Sequence, residues 1–119
     1  MSIMKNNIEC PAERAIYFLG GKWKIRILFY LFNNKIVRFN KLKKELKTIT
    51  QQMLSKQLKE MENDGLVKRT VLSVMPPSVE YSLTDFGKSA IPVLKTLYSW
   101  SLNQDCKITK CIKKNYNKV

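Results

Sequence analysis

Residues 39–83 read FNKLKKELKTITQQMLSKQLKEMENDGLVKRTVLSVMPPSVEYSL, and their order of periodicities decides the fold. Phe39, Leu42 and Leu46 share one helical face while Lys41, Lys43, Lys44 and Glu45 are polar, which predicts a helix from Phe39 to about Lys47. Thr48-Ile49-Thr50 is a tight connection, and Thr50 suits the N-cap of a second helix reaching Asn63. There Leu54, Leu58 and Met61 recur at i, i+4, i+7 and face the core; Gln51, Gln52, Ser55, Lys56 and Lys59 fall on the other side. Asp64-Gly65 breaks the helix. Residues 66–74, rich in β-branched side chains, predict a strand; Met75-Pro76-Pro77-Ser78 predicts a turn, and the alternation from Val79 to Leu83 a returning strand.

Working outward, Cys10-Pro11-Ala12-Glu13 looks like a helix start, with proline at the first helical position and an acid in the first turn. That helix runs to Leu19 and stops at Gly20-Gly21. A further helix begins near Lys22, where Trp23, Ile27, Leu28 and Leu31 keep 3.6-residue spacing and Ile25 and Phe29 widen the stripe. It ends at Asn33-Asn34, and Ile36-Val37-Arg38 predicts a short edge strand. Thr84 caps a last helix of about 84–104, kinked at Pro92 because an interior proline forfeits a backbone hydrogen bond. This gives an α+β fold, mainly α. Residues 1–106 are expected to form one domain, and 107–119, with no acid, a basic tail.

Composition narrows the function. The 119 residues carry 22 Lys+Arg against 9 Asp+Glu, a net charge of +13, which favours polyanionic partners through counterion release. Histidine is absent, removing the commonest general base and metal ligand, and no acid–base or nucleophile–base constellation can be assembled, so no enzyme, cofactor or metal site is expected. Three cysteines argue against a disulfide framework or a closed zinc site. No apolar run is long enough to span a membrane and the N-terminus lacks a signal-peptide core, so a cytosolic protein with reduced thiols is expected, with no membrane partner.

Two helices joined by a tight turn set the second into the DNA major groove, which is wide enough for one helix. The outward stripe of the 50–63 helix suits such a groove, because its two glutamines match adenine edges and its lysines suit phosphate or guanine. The rival class is a basic protein that coats RNA or other nucleic acid without sequence preference. Most aromatics fall on apolar helix stripes, leaving no stacking platform for it.

Six segments taken in order resemble the HxlR-type branch of winged helix-turn-helix regulators, relatives of the MarR regulators. They are Cys10-Pro11, LGGKW (19–23), RFNKLKKEL (38–46), LSKQLKEMENDGLVKRTV (54–71), PPSVEYSLTDFGK (76–88) and PVLKTLYSW (92–100), spanning about residues 10–102. The resemblance implies a homodimer built from the first and last helices, bound to double-stranded DNA at an inverted-repeat operator, with 50–63 as recognition helix and 66–83 as wing. The expected DNA-binding residues are Arg38, Asn40, Lys41, Lys43, Thr50, Gln51, Gln52, Ser55, Lys56, Lys59, Lys68, Arg69 and Ser78. Many members have Arg or Lys after the two wing prolines; here Ser78 stands there, and Lys68 and Arg69 are expected to meet phosphate instead.

The excess apolar surface of the last helix, from Leu94, Leu97, Tyr98 and Trp100, also argues for a partner subunit. Cys10 sits before Pro11 at a helix N-terminus, where the dipole stabilises thiolate. The resemblance makes Cys10 the candidate sensor of an oxidant or electrophile, with Cys106 and Cys111 as candidate resolving partners; a small-molecule effector is the alternative signal. The reading is a transcription regulator, taken as a repressor.

Overall fold

A computed structural model of the chain describes residues 10–104; Cys106, Cys111 and the basic tail lie outside that range. The described chain forms helices α1 (Pro11–Leu19) and α2 (Lys22–Asn34), strand β1 (Ile36–Arg38), helices α3 (Phe39–Leu46) and α4 (Gln51–Asn63), strands β2 (Val67–Val74) and β3 (Pro77–Leu83), and helix α5 (Asp85–Asn103). It divides into two compact units at Lys88 and Ser89, the second holding all but the start of α5.

In the first unit α2 is central: Ile27, Leu28 and Leu31 are almost wholly enclosed. They share the core with Val37 of β1, Leu42 and Leu46 of α3, Leu54, Leu58 and Met61 of α4, and Leu66, Tyr81 and Leu83. At about 1.5–3 kcal/mol for each large apolar side chain fully removed from water, this cluster is the main attraction holding the unit together. Ile49, buried in the connection between α3 and α4, pins the turn to the same core. Lys47, at positive φ, ends α3 and donates its N–H back to Lys43 O, so the helix stops one residue before the expected boundary.

The sheet has the order β1-β3-β2 and is antiparallel throughout. Arg69 lies opposite Tyr81, and Arg38 opposite Glu80. The register shifts between Val71 and Ser73, placing a bulge at Leu72. Beyond it Ser73 pairs with Ser78 and Val74 with Pro77. The wing turn is therefore Met75-Pro76 alone: Pro77 and Ser78, expected in the turn, belong to β3. A proline is tolerated at the first position of a strand because its missing N–H interrupts no ladder bond there.

Two corners frame α4 and the wing. At the end of α4, Leu66 N–H donates to Met61 O and Gly65 N–H to Glu62 O, the paired bonds of a Schellman cap, with Gly65 at φ 80°. At the start of α5, the Thr84 hydroxyl donates to the carbonyls of Gly65 and Leu66 and accepts from Gly87 N–H at 3.0 Å. Thr84 thus caps α5 as expected and ties its start to the foot of the wing. Pro92 lies inside α5 without ending it. No helix among the described residues is long and apolar enough to cross a membrane.

Candidate nucleic-acid interface

Helix α4 presents two opposed faces. Leu54, Leu58 and Met61 are fully buried, whereas Gln51, Gln52, Ser55, Lys56 and Lys59 are exposed, as the spacing predicted. Its start is fixed by Thr50, whose hydroxyl oxygen accepts the Met53 N–H at 3.0 Å. Such a cap stabilises a helix by about 1 kcal/mol and defines where the first turn points. Gln57, one turn beyond Met53, donates its amide to Met53 Sδ.

The expected contact residues are not equally convergent. One cleft is lined by Arg38, Asn40, Gln51, Ser55, Arg69 and Ser78, with Phe39, Pro76, Pro77, Val79 and Tyr81 forming its apolar walls. A second hollow is lined by Ser55, Lys59, Glu62, Arg69 and Tyr81, and a shallow third by Thr50, Gln51, Gln52 and Ser55. Ser55 lines all three. The surface is one concave tract running from α3 across α4 to the wing. Lys41, Lys43, Lys56 and Lys68 line none of these hollows. Lys41 is drawn to Glu45, one helical turn on, at 3.2 Å. Lys68 and Arg69 are neighbours on β2, so they face opposite sides of the sheet; Arg69 is the one on the cleft side.

One residue of the cleft, Tyr81, and one buried ion pair behind α4 escaped the sequence reading. Tyr81 is buried between the wing and α4, and burial pushes its phenol above the ordinary range, opposed by a hydrogen bond from Arg69 and that residue's charge. Tyr81 and Arg69, cross-strand partners, thus stand side by side at the cleft wall. Its place in the alternation Val79, Tyr81, Leu83 showed an inward side chain, but only the pairing of β2 with β3 brings it to Arg69. Lys24 is buried on α2 and reaches Glu60 of α4 at 3.1 Å. The signal was available: Lys24 precedes Ile27, Leu28 and Leu31 at i+3, i+4 and i+7, on the core stripe itself.

At the other end of the chain Cys10 is exposed at the N-cap of α1. Backbone N–H groups of Glu13 and then Ala12 hold its thiol below the ordinary range; desolvation opposes them, and the charge of Arg14 adds the least. Helix α1 buries none of its residues, and Ile16 lies in the open. On α5, Ala90, Ile91 and Leu94 are buried, while Phe86, Val93, Leu97 and Trp100, at heptad-like spacing, form an exposed apolar stripe. Of the four residues counted in the surplus of this helix, Leu94 is buried and Leu97, Tyr98 and Trp100 are exposed.

Residues 18–108 match the HxlR-like helix-turn-helix family. An HTH-type transcriptional regulator of Halalkalibacterium halodurans is 43% identical over 99 residues, 83% of this chain and 88% of its own length. Among solved structures, the redox regulator HypR in its reduced form superposes with a TM-score of 0.76 at 35% identity, over 86% of this chain and 99% of that one. Its oxidized form gives 0.70 at 39% identity, over 79% and 96%. The reduced transcriptional regulator YodB from Bacillus subtilis gives 0.68 at 31% identity, over 84% and 97%.

Proposed function

The chain belongs to the HxlR-like helix-turn-helix family, and from that premise we propose that this transcriptional regulator is a homodimeric repressor that reads an inverted-repeat operator with α4 and loosens its grip when Cys10 is modified. The observation that carries the reading is the division of α4. Three fully buried side chains fix its orientation, and the amides of Gln51 and Gln52, the Ser55 hydroxyl and the Lys56 and Lys59 ammonium groups stand outward beside the cleft. Amides that pair two donors and acceptors with a base edge confer sequence preference; lysines that meet phosphate confer affinity without it. Arg38, Asn40, Lys41, Lys43, Thr50, Lys68, Arg69 and Ser78 complete the proposed contact set.

The exposed stripe Phe86, Val93, Leu97 and Trp100, together with the open face of α1, supports dimerisation, because a second copy of the same helices would cover it. Two reading heads in such a dimer meet half-sites about 34 Å apart, one DNA turn. The signal is proposed to be an oxidant or electrophile. Cys10 is exposed and its thiolate, the reactive form, is favoured. HypR, a redox regulator solved in both oxidized and reduced forms, is among the similar structures. Modification at the start of α1 would act through the dimer helices on the spacing of the two heads, and Cys106 or Cys111 would serve as resolving thiols.

Binding of operator and random duplexes by α4 variants tests the reading. Gln52→Ala is expected to lose about 1–3 kcal/mol on operator and almost none on random DNA. Lys59→Ala is expected to weaken both alike and to flatten the salt dependence. Equal losses on both duplexes for Gln51→Ala and Gln52→Ala would instead favour a protein that coats nucleic acid without reading it.

A further inference from the structure

The wing tip does not fit an electrostatic partner. Between Arg69 and Lys88 the chain has no lysine or arginine, although its net charge is +13. Val74 and Met75, at the end of the β2–β3 hairpin, are 80% and 89% exposed, more than any other large apolar side chain among the described residues. Val71 and Leu72 continue the patch down the strand, and the bulge at Leu72 turns the end of the hairpin. Pro76 and Pro77 stiffen the tip, since each fixes its own φ. A protein that only needed a flexible, solvated hairpin end would not require this much exposed hydrocarbon there.

Two observations say what covers it. Pro76, Pro77 and Ser78 line the same cleft as Gln51, Ser55 and Arg69, so the tip is continuous with the reading surface. Its reach also fits. From the Arg69–Tyr81 pair to the Val74–Pro77 pair the ladder extends four residues along β3, the bulge adding a fifth on β2, or about 14 Å at about 3.4 Å per residue. Half a turn of B-DNA, the step from a major groove to the next minor groove, is of the same order, about 17 Å. With α4 in the major groove, the tip arrives at a minor groove with no cation to offer it.

We propose that Val74, Met75 and Pro76 form an apolar wedge that enters the minor groove beside each half-site and pries open a base step there. The proposal rests on the operator-binding reading above. Apolar side chains inserted between base pairs unstack them and bend the duplex toward the major groove. Pyrimidine–purine steps yield most easily, so the wing would select a TA or CA step through deformability rather than hydrogen bonds. The contribution is independent of salt, unlike that of a wing cation.

The test uses full-length protein and a duplex that wild type selects from a library randomised over about 30 base pairs, three helical turns, labelled at both ends for energy transfer. Met75 is open to solvent, so its replacement leaves the folded core untouched. Met75→Ala is expected to lose about tenfold in affinity, the scale of one large apolar side chain returned to water. The salt slope should stay unchanged, and the end-to-end shortening of the bound duplex should shrink. Met75→Arg is expected to recover affinity with a slope steeper by about one per half-site, without recovering the bend. Wild-type affinity and bending in Met75→Ala overturn the wedge while leaving operator reading intact. A Met75→Ala protein whose sedimentation changes without DNA, with its bending unaltered, assigns the tip to a contact between copies and also overturns it. Wild type that binds selected and random duplexes equally overturns the operator reading, and the wedge with it.

Discussion

Gly87→Ala sets two physical effects of opposite sign against each other. Gly87 lies in the first turn of α5, where helix propensity alone makes alanine better than glycine by up to about 1 kcal/mol. The structure argues the other way. A Cβ at this position would lie 2.1 Å from Leu66 O, about 0.9 Å inside the 3.0 Å that real Cβ contacts keep. That oxygen cannot swing aside freely, because it accepts both the Thr84 N–H at 3.1 Å and the Thr84 hydroxyl at 3.2 Å, and the Leu66 side chain is fully buried. Overpacking of this kind costs typically about 1–3 kcal/mol, and a backbone clash falls at the upper end. The net expectation is a destabilisation of about 2 kcal/mol, or a fall in Tm of about 8 °C for a chain of this size. Urea and thermal unfolding followed by circular dichroism measure it. Gly65 is the control: a Cβ there meets nothing within 4 Å, and only its φ of +80° opposes a side chain. Gly65→Asn should therefore be milder than Gly65→Ala, since asparagine tolerates that backbone region, whereas Gly87→Asn should be no better than Gly87→Ala. A Gly87→Ala protein as stable as wild type, or more so, refutes the steric reasoning.

Other expectations follow from single contacts. The Lys24–Glu60 pair, at 3.1 Å, has a gross attraction of about 5 kcal/mol at an effective dielectric of about 20, most of it offset by desolvation. Lys24→Met should cost about 1–2 kcal/mol, and a cycle with Glu60→Gln should give a coupling near about 1 kcal/mol; simple additivity would show that the pair does not hold α2 to α4. In a Cys106→Ser, Cys111→Ser background, the pH midpoint of Cys10 alkylation should fall below that of the same thiol in urea. The folded pKa is the lower one, so between the two midpoints the folded protein reacts faster; a midpoint equal to the unfolded one refutes the helix-start effect. For the proposed dimer, Leu97→Glu with Trp100→Glu should raise the dissociation constant by at least about 100-fold, the loss expected if two large apolar side chains of about 1.5–3 kcal/mol each are covered there. Sedimentation at micromolar protein checks it, and a double variant that stays dimeric removes the stripe on α5 from the interface.

Most of the fold was legible in the linear sequence because its signals are local. The 3.6-residue spacing of Leu54, Leu58 and Met61, the cap at Thr50, the stop at Gly65 and the cap at Thr84 each act within one turn of backbone, and the structure has them as read. The outward stripe from Gln51 to Lys59 followed from the same periodicity, since burying one face of a helix exposes the other. The end of the wing was misread because prolines signal a turn in any sequence; only the cross-strand register, set by the bulge at Leu72, drew Pro77 and Ser78 into β3. The distinction between Lys68 and Arg69 likewise needed the sheet, which gives adjacent residues opposite faces and sets Arg69 against Tyr81. The burial of Lys24 beside Glu60 needed the packing of α2 on α4. What a residue does within its own helix or hairpin is encoded at separations of three or four positions. What it does across elements depends on register and on which side chains a neighbouring surface removes from water, and those are properties of the packed tertiary structure alone.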